Sequence, residues 1–271
     1  AFRDHPLMQQ DYLLHFLIQH YNQHYETMLS VLTQRALQED DRTFRVQSAF
    51  AATQPVTDAI PLQPGHYRVG GSAPVAYDNE LPAQQATLGP FSIARLPVSN
   101  SEYLAFMQAD GYTTRSLWNE DGWQWLSDTR TDHPHHWQQD HAGHWYGVGV
   151  RGAYELDGSD VVHGLSHHEA SAYANWAGGQ LPHEHQWEVA CRLQQLEQTG
   201  RAWEWCQNAF YPYEGFQAFP YDGYSTSSFD NRHFTLRGGS LHTRPAIRRP
   251  GFRNFHEAGK RHIFAGMRLV Y

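Results

Sequence analysis

Two histidines one helical turn apart, with a glutamine between them, are the residues whose types and spacing could do chemistry. His20, Gln23 and His24 lie in residues 7–38, which contain no Gly or Pro and repeat apolar side chains at helical intervals. This pattern predicts one helix of several turns. Side chains four apart share a helix face, so the two imidazoles would lie side by side, as in helical metal sites. A surface or core-capping pair is the alternative, because the chain holds 19 histidines.

The element that must position these side chains cannot be stable alone. A single amphipathic helix has to bury its apolar face against something else. Residues 1–42 are therefore expected to pack on helices outside this chain, on a partner, or on the domain that follows. Residues 43–60 are interpreted as a linker or a strap across that domain. The chain enters the helix almost at once, so we expect upstream sequence that belongs to the same helical unit.

Residues 61–271 lose the helical period and form the second predicted unit. Runs bounded by Gly and Pro predict short strands at 66–71 and 86–93. Helices are predicted over 100–110 and, from a Ser–Glu capping box, over 166–177. This mixture indicates an α+β fold with many loops.

A histidine-rich segment follows the first of these helices. Residues 128–160 are also rich in Asp and Gly, and they are interpreted as a solvated loop. The histidine spacing matches no common metal site. The histidines concerned are His133, His135, His136, His141 and His144.

Composition excludes several classes of function. The net charge is −8 and the isoelectric point is near 6.1, which argues against a nucleic-acid-binding surface. No run of 18 apolar residues predicts a membrane span, and no signal peptide is visible. A disulfide between Cys191 and Cys206 is possible, but two reduced thiols in a cytoplasmic protein are the favoured interpretation.

Motifs in the second unit occur in the order found in a known family. They are Ile93-Ala94-Arg95-Leu96-Pro97-Val98-Ser99-Asn100, Trp176-Ala177-Gly178-Gly179-Gln180-Leu181-Pro182, Arg237-Gly238-Gly239-Ser240 and Phe252-Arg253-Asn254-Phe255. Over about residues 60–271 the chain resembles the formylglycine-generating-enzyme/sulfatase-modifying (FGE-sulfatase) domain. The resemblance implies a C-type-lectin-like α+β fold with little regular secondary structure. Formylglycine generators bind copper through a Cys pair just after R-G-G-S, and no Cys follows Ser240 here.

One branch of this superfamily matches the helix as well. His20-x-x-Gln23-His24, together with Phe219-Pro220-Tyr221-x-x-Tyr224, resembles ergothioneine sulfoxide synthases, in which a DinB-like helical bundle precedes the domain. The resemblance implies a remnant of that bundle in residues 1–42. It also implies a non-haem iron(II) ion held by three histidines. His20 and His24 match two of them, and the third is expected upstream of residue 1.

The same resemblance gives roles to five further residues. Gln23 matches a glutamine beside the histidine-derived substrate. Tyr221 matches the tyrosine that donates a proton or hydrogen bond to the reacting oxygen, and Tyr224 matches its neighbour in the pocket. Asn254 and Phe255 match the residues beside the substrate's trimethylammonium group, where an aromatic ring attracts a cation.

The expected reaction joins a thiol, cysteine or γ-glutamylcysteine, to the imidazole of hercynine (trimethylhistidine) with O₂. His256 and Lys260 stand where members that use γ-glutamylcysteine carry Asp and Arg, which implies a different sulfur or selenium donor. The partners expected are therefore hercynine, a thiol, O₂ and the missing helical segment. A selenoneine- or ovothiol-type synthase and a non-catalytic lectin-like binding module remain as alternatives.

Overall fold

The computed structural model describes residues 5–39 and 43–271. Within these residues the helices are α1 (Tyr12–Gln38), α2 (Asn100–Gln108), α3 (Glu120–Thr129), α4 (His167–Trp176) and α5 (Glu184–Arg192). The strands are β1 (Ala59–Leu62), β2 (Gly65–Val69), β3 (Gln84–Leu88), β4 (Phe91–Ala94), β5 (Trp137–Gln139), β6 (Trp145–Gly149), β7 (Gly152–Glu155), β8 (Trp203–Ala209), β9 (His233–Arg237), β10 (Asn254–Glu257) and β11 (Ala265–Gly266). A short 3-10 turn, Pro6–Asp11, precedes α1.

The strands form small sheets rather than one large one. β1 pairs with β4 and β2 with β3, while β5, β6 and β7 form a three-stranded sheet. The largest sheet has the order β10-β9-β8-β11, in which β11 runs parallel to β8 and the other pairs are antiparallel. Short strands separated by long connections make this an α+β fold, as the sequence predicts.

The predicted helices form where the capping residues indicate. α4 begins after Ser166, whose Oγ accepts a hydrogen bond from the Glu169 N–H at 3.2 Å, while Glu169 Oε2 accepts one from the Ser166 N–H at 2.8 Å. Ser99 and Glu102 make the same reciprocal pair at the start of α2. These side chains satisfy backbone N–H groups that have no partner inside the helix.

The loop prediction for residues 128–160 is wrong, because this segment contains β5, β6 and β7. His136 is not solvated either: it is fully buried, and its Nδ1 lies 2.9 Å from Nδ1 of His163. β5 is only three residues long. A strand of that length shows too little alternation for a two-residue period to be recognised in the sequence.

Residues 43–58 make hydrogen bonds to the domain that follows them. Val46 N–H donates to Asp140 Oδ2 at 3.1 Å, and Thr53 N–H donates to the Ser101 carbonyl at 3.1 Å. β1 begins at Ala59, so the predicted boundary between residues 60 and 61 falls inside a strand. The other predicted boundary, at residue 42, lies outside the described residues.

The start of α1 packs into the same core as the rest of the chain. Tyr12 and Phe16 are buried in the main hydrophobic cluster, where Phe16 meets Tyr77 edge-on with ring centroids 5.5 Å apart. Of the three packing partners considered for the helix, the following domain is therefore the one it contacts. No helix within residues 5–39 and 43–271 combines the length and apolar character that crossing a membrane requires.

Candidate active site

α1 faces the rest of the protein with polar side chains that recur every three or four residues. Those that make tertiary hydrogen bonds are Gln19, Gln23, Glu26, Ser30 and Gln34. Gln19 Nε2 donates to the carbonyl of Val75 at 2.9 Å, and Ser30 Oγ donates to the carbonyl of His262 at 2.6 Å. Such spacing follows one face of a helix, so the contacts fix both the position and the rotation of α1.

The opposite face of α1 is apolar and exposed. Its large side chains are between 39% and 67% exposed: Leu14, Leu17, Ile18, Tyr21, Met28, Val31 and Leu32. The expectation that the helix buries its apolar stripe therefore holds only for its first turns, where Tyr12 and Phe16 enter the core. Further along, α1 is held by hydrogen bonds instead.

Glu26 attaches α1 to the loop that follows the R-G-G-S motif. Its carboxylate accepts hydrogen bonds from Trp203 Nε1 at 2.8 Å, from Ser240 Oγ at 2.5 Å and from Thr243 Oγ1 at 2.6 Å. The loop that the resemblance associates with copper thiolates in formylglycine generators thus serves here as the docking site of a helix. Of the cysteines, Cys206 is buried and Cys191 half-buried, both are free, and burial raises the pKa of the Cys191 thiol to about 11.

A cavity of about 290 Å³ lies between α1 and the final third of the chain. Its wall on the helix side consists of His20, Gln23, His24, Glu26, Thr27 and Ser30. Its wall on the domain side consists of Trp203, Tyr224, Ile247, Phe252, Asn254, Phe255, His256, His262, Ile263 and Phe264. Seven of the nine residues that the sequence singles out therefore line one cavity.

The imidazoles of His20 and His24 meet at this cavity. Their Nε2 atoms are 3.0 Å apart, with ring centroids at 4.4 Å and planes nearly perpendicular. Phe16 stacks on the other side of His20, with centroids 5.7 Å apart. Burial, and then the neighbouring His24, lowers the pKa of His20. This lower pKa favours the neutral His20 ring, the form that can bind a metal ion.

This pair fits two neighbouring positions around a metal ion. With metal–nitrogen bonds of about 2.1 Å, two ligands at a right angle have nitrogen atoms about 3.0 Å apart. A hydrogen bond between one protonated and one unprotonated nitrogen has a similar length. Within residues 5–39 and 43–271, no group of three or more His, Cys, Asp or Glu side chains is placed to hold a metal. The pair could therefore supply two ligands but not a complete three-residue set.

Gln23 is held between two tyrosines. Its Oε1 accepts hydrogen bonds from the Tyr224 hydroxyl at 3.0 Å and from the Tyr77 hydroxyl at 3.1 Å. The two phenol rings stack, with centroids 4.5 Å apart and planes within 20°. Burial raises the pKa of both tyrosines above the ordinary value, so both hydroxyls keep their protons and can donate.

Strand β10 supplies the wall opposite the helix through three consecutive side chains. Phe255 stacks on Phe210 with centroids 4.2 Å apart and planes within 13°. Asn254 Oδ1 accepts the N–H of Phe255 at 3.0 Å. Burial, followed by the nearby His262 and Lys260, lowers the pKa of His256 to about 3. This wall is therefore aromatic and neutral.

Tyr221 and Lys260 do not line the cavity. Tyr221 is 49% exposed and touches the edge of Phe16, with centroids 6.3 Å apart. Lys260 lies in the turn after β10, where its N–H donates to the carbonyl of Glu257 at 3.0 Å. The structure thus brings the helix residues together with Tyr224 and β10 around the cavity. Tyr221 and Lys260 lie outside its lining.

Sequence reasoning missed several residues of the site. Tyr77 lies between the strands predicted at 66–71 and 86–93, and no local pattern marks it. Glu26 could have been found, because the polar residues of α1 follow a helical period of their own. Trp203 and His262 carry no such signal, since only the tertiary fold brings them to the helix.

Comparison with known families decides the classification of the fold. The sequence model of the FGE-sulfatase family, described as the sulfatase-modifying factor enzyme 1-like domain, matches residues 45–199 and 196–271. The chain belongs to this family. The match begins after α1, so the DinB-like origin of residues 1–42 stays a prediction.

Two similar proteins extend the match into the helix. The chain is 30% identical over 310 residues to the hercynine oxygenase of Mycolicibacterium smegmatis and 29% identical over 308 residues to that of Mycobacterium tuberculosis. Each alignment covers 94% of this chain and 70% of the relative. Only about 16 of the 271 residues remain outside it, so both alignments reach into α1.

A solved structure supports the fold alone. PvdO from Pseudomonas aeruginosa superimposes with a TM-score of 0.55, covering 84% of this chain and 98% of PvdO at 14% identity. The FGE-sulfatase fold predicted from the motifs is therefore confirmed.

Proposed function

We propose that the protein is a non-haem iron(II), O₂-dependent sulfoxide synthase of ergothioneine biosynthesis. It would join a thiol sulfur to the imidazole of hercynine. The observation that carries the proposal is the cavity in which His20 and His24 meet Gln23, Tyr224 and β10. The two hercynine oxygenases, similar to this chain into α1, support the choice of substrate.

The overall reaction balances with O₂ as the oxidant. A thiol, one imidazole C–H and O₂ give a sulfoxide and one water, with a new C–S bond and a new S–O bond. Iron(II), when bound at His20 and His24 and at a third ligand, supplies the redox chemistry that activates O₂. The protein contributes binding, orientation and exclusion of water.

The cavity walls suit a zwitterionic, trimethylated substrate. The face of Phe255 can attract a quaternary ammonium group. The amide nitrogen of Gln23 can donate to a carboxylate or to an unprotonated imidazole nitrogen. By the resemblance, the proton donor is Tyr221, whose ring lies outside the cavity. Tyr224 does line the cavity, but its hydroxyl proton is already donated to Gln23.

The wall near His256 favours a small donor such as cysteine. Among the described residues, the cavity lining includes no Arg or Lys. His256 is uncharged at neutral pH because its pKa is about 3. A γ-glutamyl carboxylate would therefore meet no Arg or Lys in the cavity lining, in contrast to the Arg that the resemblance associates with γ-glutamylcysteine.

Iron content tests the metal site. We expect His20→Ala and His24→Ala each to weaken iron(II) binding about ten-fold or more, because each change removes one of few ligands. His15→Ala is the matched control, since His15 lies on the same helix outside the cavity lining. Iron is measured by mass spectrometry after anaerobic loading. Unchanged iron in both variants would exclude the pair as ligands.

The reaction is tested separately with the iron-loaded wild-type protein. Hercynine, O₂ and a panel of cysteine, γ-glutamylcysteine and a selenium donor are incubated with it, and products are read by mass spectrometry. We expect the sulfoxide with cysteine as the preferred donor. If the protein binds iron but does not consume hercynine with any of the donors, the proposed reaction is refuted while the proposed metal site is not.

A further inference from the structure

Tyr77 touches the candidate site without belonging to the elements that the sequence connects with it. It lies just before a 3-10 turn, Asp78–Glu80, and its side chain is 1% exposed. Its hydroxyl reaches Gln23, 54 residues earlier in the chain, at 3.1 Å. The ring does not line the cavity, because Tyr224 stacks between it and the cavity-facing side chains.

The hydrogen bonds allow only one orientation of the Gln23 amide. The Tyr77 and Tyr224 hydroxyls both donate to Gln23 Oε1, and the two hydroxyls also lie within hydrogen-bonding reach of each other. Turning the amide over would place N–H groups against both hydroxyls and, even if one tyrosine donated to the other, leave at least one O–H group without an acceptor. Leaving a buried donor without an acceptor costs more free energy than forming one hydrogen bond contributes. The oxygen therefore faces the tyrosines, and the nitrogen is the polar atom left for the cavity.

Tyr77 itself is rigidly held. Its N–H donates to Glu80 Oε1 at 2.9 Å, and its carbonyl accepts the Glu80 N–H at 3.0 Å. Its ring contacts Phe16 and Phe252 edge-on, at 5.5 and 5.9 Å between centroids. A hydroxyl fixed in this way can hold the Gln23 amide in place.

We propose that Tyr77 is a positioning residue that turns the Gln23 amide so that its N–H groups face the cavity and donate to an acceptor atom of the bound substrate. The substrate's identity rests on the proposed function, whereas the orientation of the amide does not. The acceptor is a carboxylate oxygen or an unprotonated imidazole nitrogen, the two acceptors that hercynine offers. A cationic group at this position is disfavoured by the outward N–H groups.

The first test measures hercynine binding by calorimetry on the full chain. Tyr77→Phe keeps the ring and removes the hydroxyl, and we expect it to raise the Kd about two- to twelve-fold, the loss of one hydrogen bond. In steady-state kinetics KM rises while kcat stays within about two-fold. Tyr12→Phe is the matched control, because its buried hydroxyl contacts the Phe219 carbonyl and not Gln23.

A double-mutant cycle separates positioning from a general structural role. In a Gln23→Ala background, adding Tyr77→Phe should leave the Kd unchanged, because the group through which Tyr77 acts is gone. If Tyr77→Phe raises the Kd equally in the wild-type and Gln23→Ala backgrounds, the proposal is overturned.

The second test needs no substrate. The side-chain amide signals of Gln23 are assigned in nitrogen-15 spectra by their loss in Gln23→Ala. We expect Tyr77→Phe to shift them and Tyr12→Phe to leave them in place. Shifted signals in a protein that does not bind hercynine would support the positioning role and refute the proposed substrate. Signals that do not move would overturn the positioning role whatever the protein binds.

Discussion

Under the proposed function, Phe255 is the side chain that would recognise the quaternary ammonium group. Its ring is fixed by stacking on Phe210 and by the edge of Tyr224 at 6.3 Å. A ring held in place loses little freedom when a cation settles on its face. The attraction between such a face and a cation is worth about 0.5–2 kcal/mol, depending on how well water is excluded.

Phe255→Leu is therefore expected to weaken hercynine binding about two- to thirty-fold. Binding of histidine, which lacks the trimethylated nitrogen, should change much less. Phe229→Leu is the matched control, because Phe229 contacts Phe210 at 4.8 Å but does not line the cavity. Both affinities are measured by calorimetry. An equal loss for hercynine and histidine would mean that Phe255 only shapes the cavity.

The sequence predicts those site residues whose neighbours lie close to them along the chain. His20, Gln23 and His24 follow from helix geometry, since their separation fixes which side chains share a face. Tyr77 could not be predicted, because its bond to Gln23 exists only once two distant segments have packed. The resemblance places Tyr221 in the site, but the structure leaves its ring against Phe16, so its role stays a prediction.

α1 is the element on which the candidate site depends. The helix supplies the histidine pair, yet most of its length is attached by hydrogen bonds and its apolar side is exposed. Glu26 makes three of these bonds at once. Removing its carboxylate would leave the Trp203 indole and two hydroxyls, those of Ser240 and Thr243, without their acceptor.

Glu26→Ala should lower the free energy of unfolding by about 2–4 kcal/mol. It should also reduce hydrogen-exchange protection along α1, while the sheet of β8 and β9 stays protected, because elements with few apolar contacts open first. The control is Glu39→Ala on the same helix. Glu39 pairs with Arg35 on the surface, where an ion pair contributes little. Equal losses in the two variants would contradict a docking role for Glu26.

Elements were predictable where a short-range signal exists. The capping boxes before α2 and α4 mark helix starts because the reciprocal bonds span only three residues. β5, β6 and β7 were missed because short strands pair with partners that local periodicity does not reveal. The polar docking face of α1 was misread for a related reason: an amphipathic pattern indicates two faces but not which one meets the domain.

Across the whole molecule, burial keeps many histidines uncharged. Desolvation lowers the pKa of His163 to about 4 and of His167 to about 3, and lowers that of His136 well below its ordinary value. In the unfolded chain these rings titrate near 6.5. The unfolded state therefore binds more protons between pH 6.5 and about 3, so stability is complete above 6.5 and falls as the pH drops.

We expect the free energy of unfolding, measured with urea, to decrease clearly from pH 7 to pH 5. A ring with a folded pKa near 3 contributes roughly 2 kcal/mol to that loss. His167→Gln should reduce the number of protons taken up on unfolding by up to one, so the free energy of unfolding should depend less steeply on pH. His141→Gln, at an exposed position, controls for loss of a surface histidine. A pH dependence that His167→Gln leaves unaltered would contradict this assignment.

The two walls of the cavity come from parts of the chain about 170 residues apart, Ser30 and Trp203 being their nearest members in sequence. Hydrogen bonds join the two walls at Gln23–Tyr224 and Glu26–Trp203, so a mutation at one of these positions affects both walls. Redesign for a new sulfur donor could be confined to a small library at positions 256 and 262, with the helix left intact. Under the proposed function, a chimera that exchanges only residues after 200 with a relative would test whether donor preference follows this wall, because the histidine pair stays unchanged.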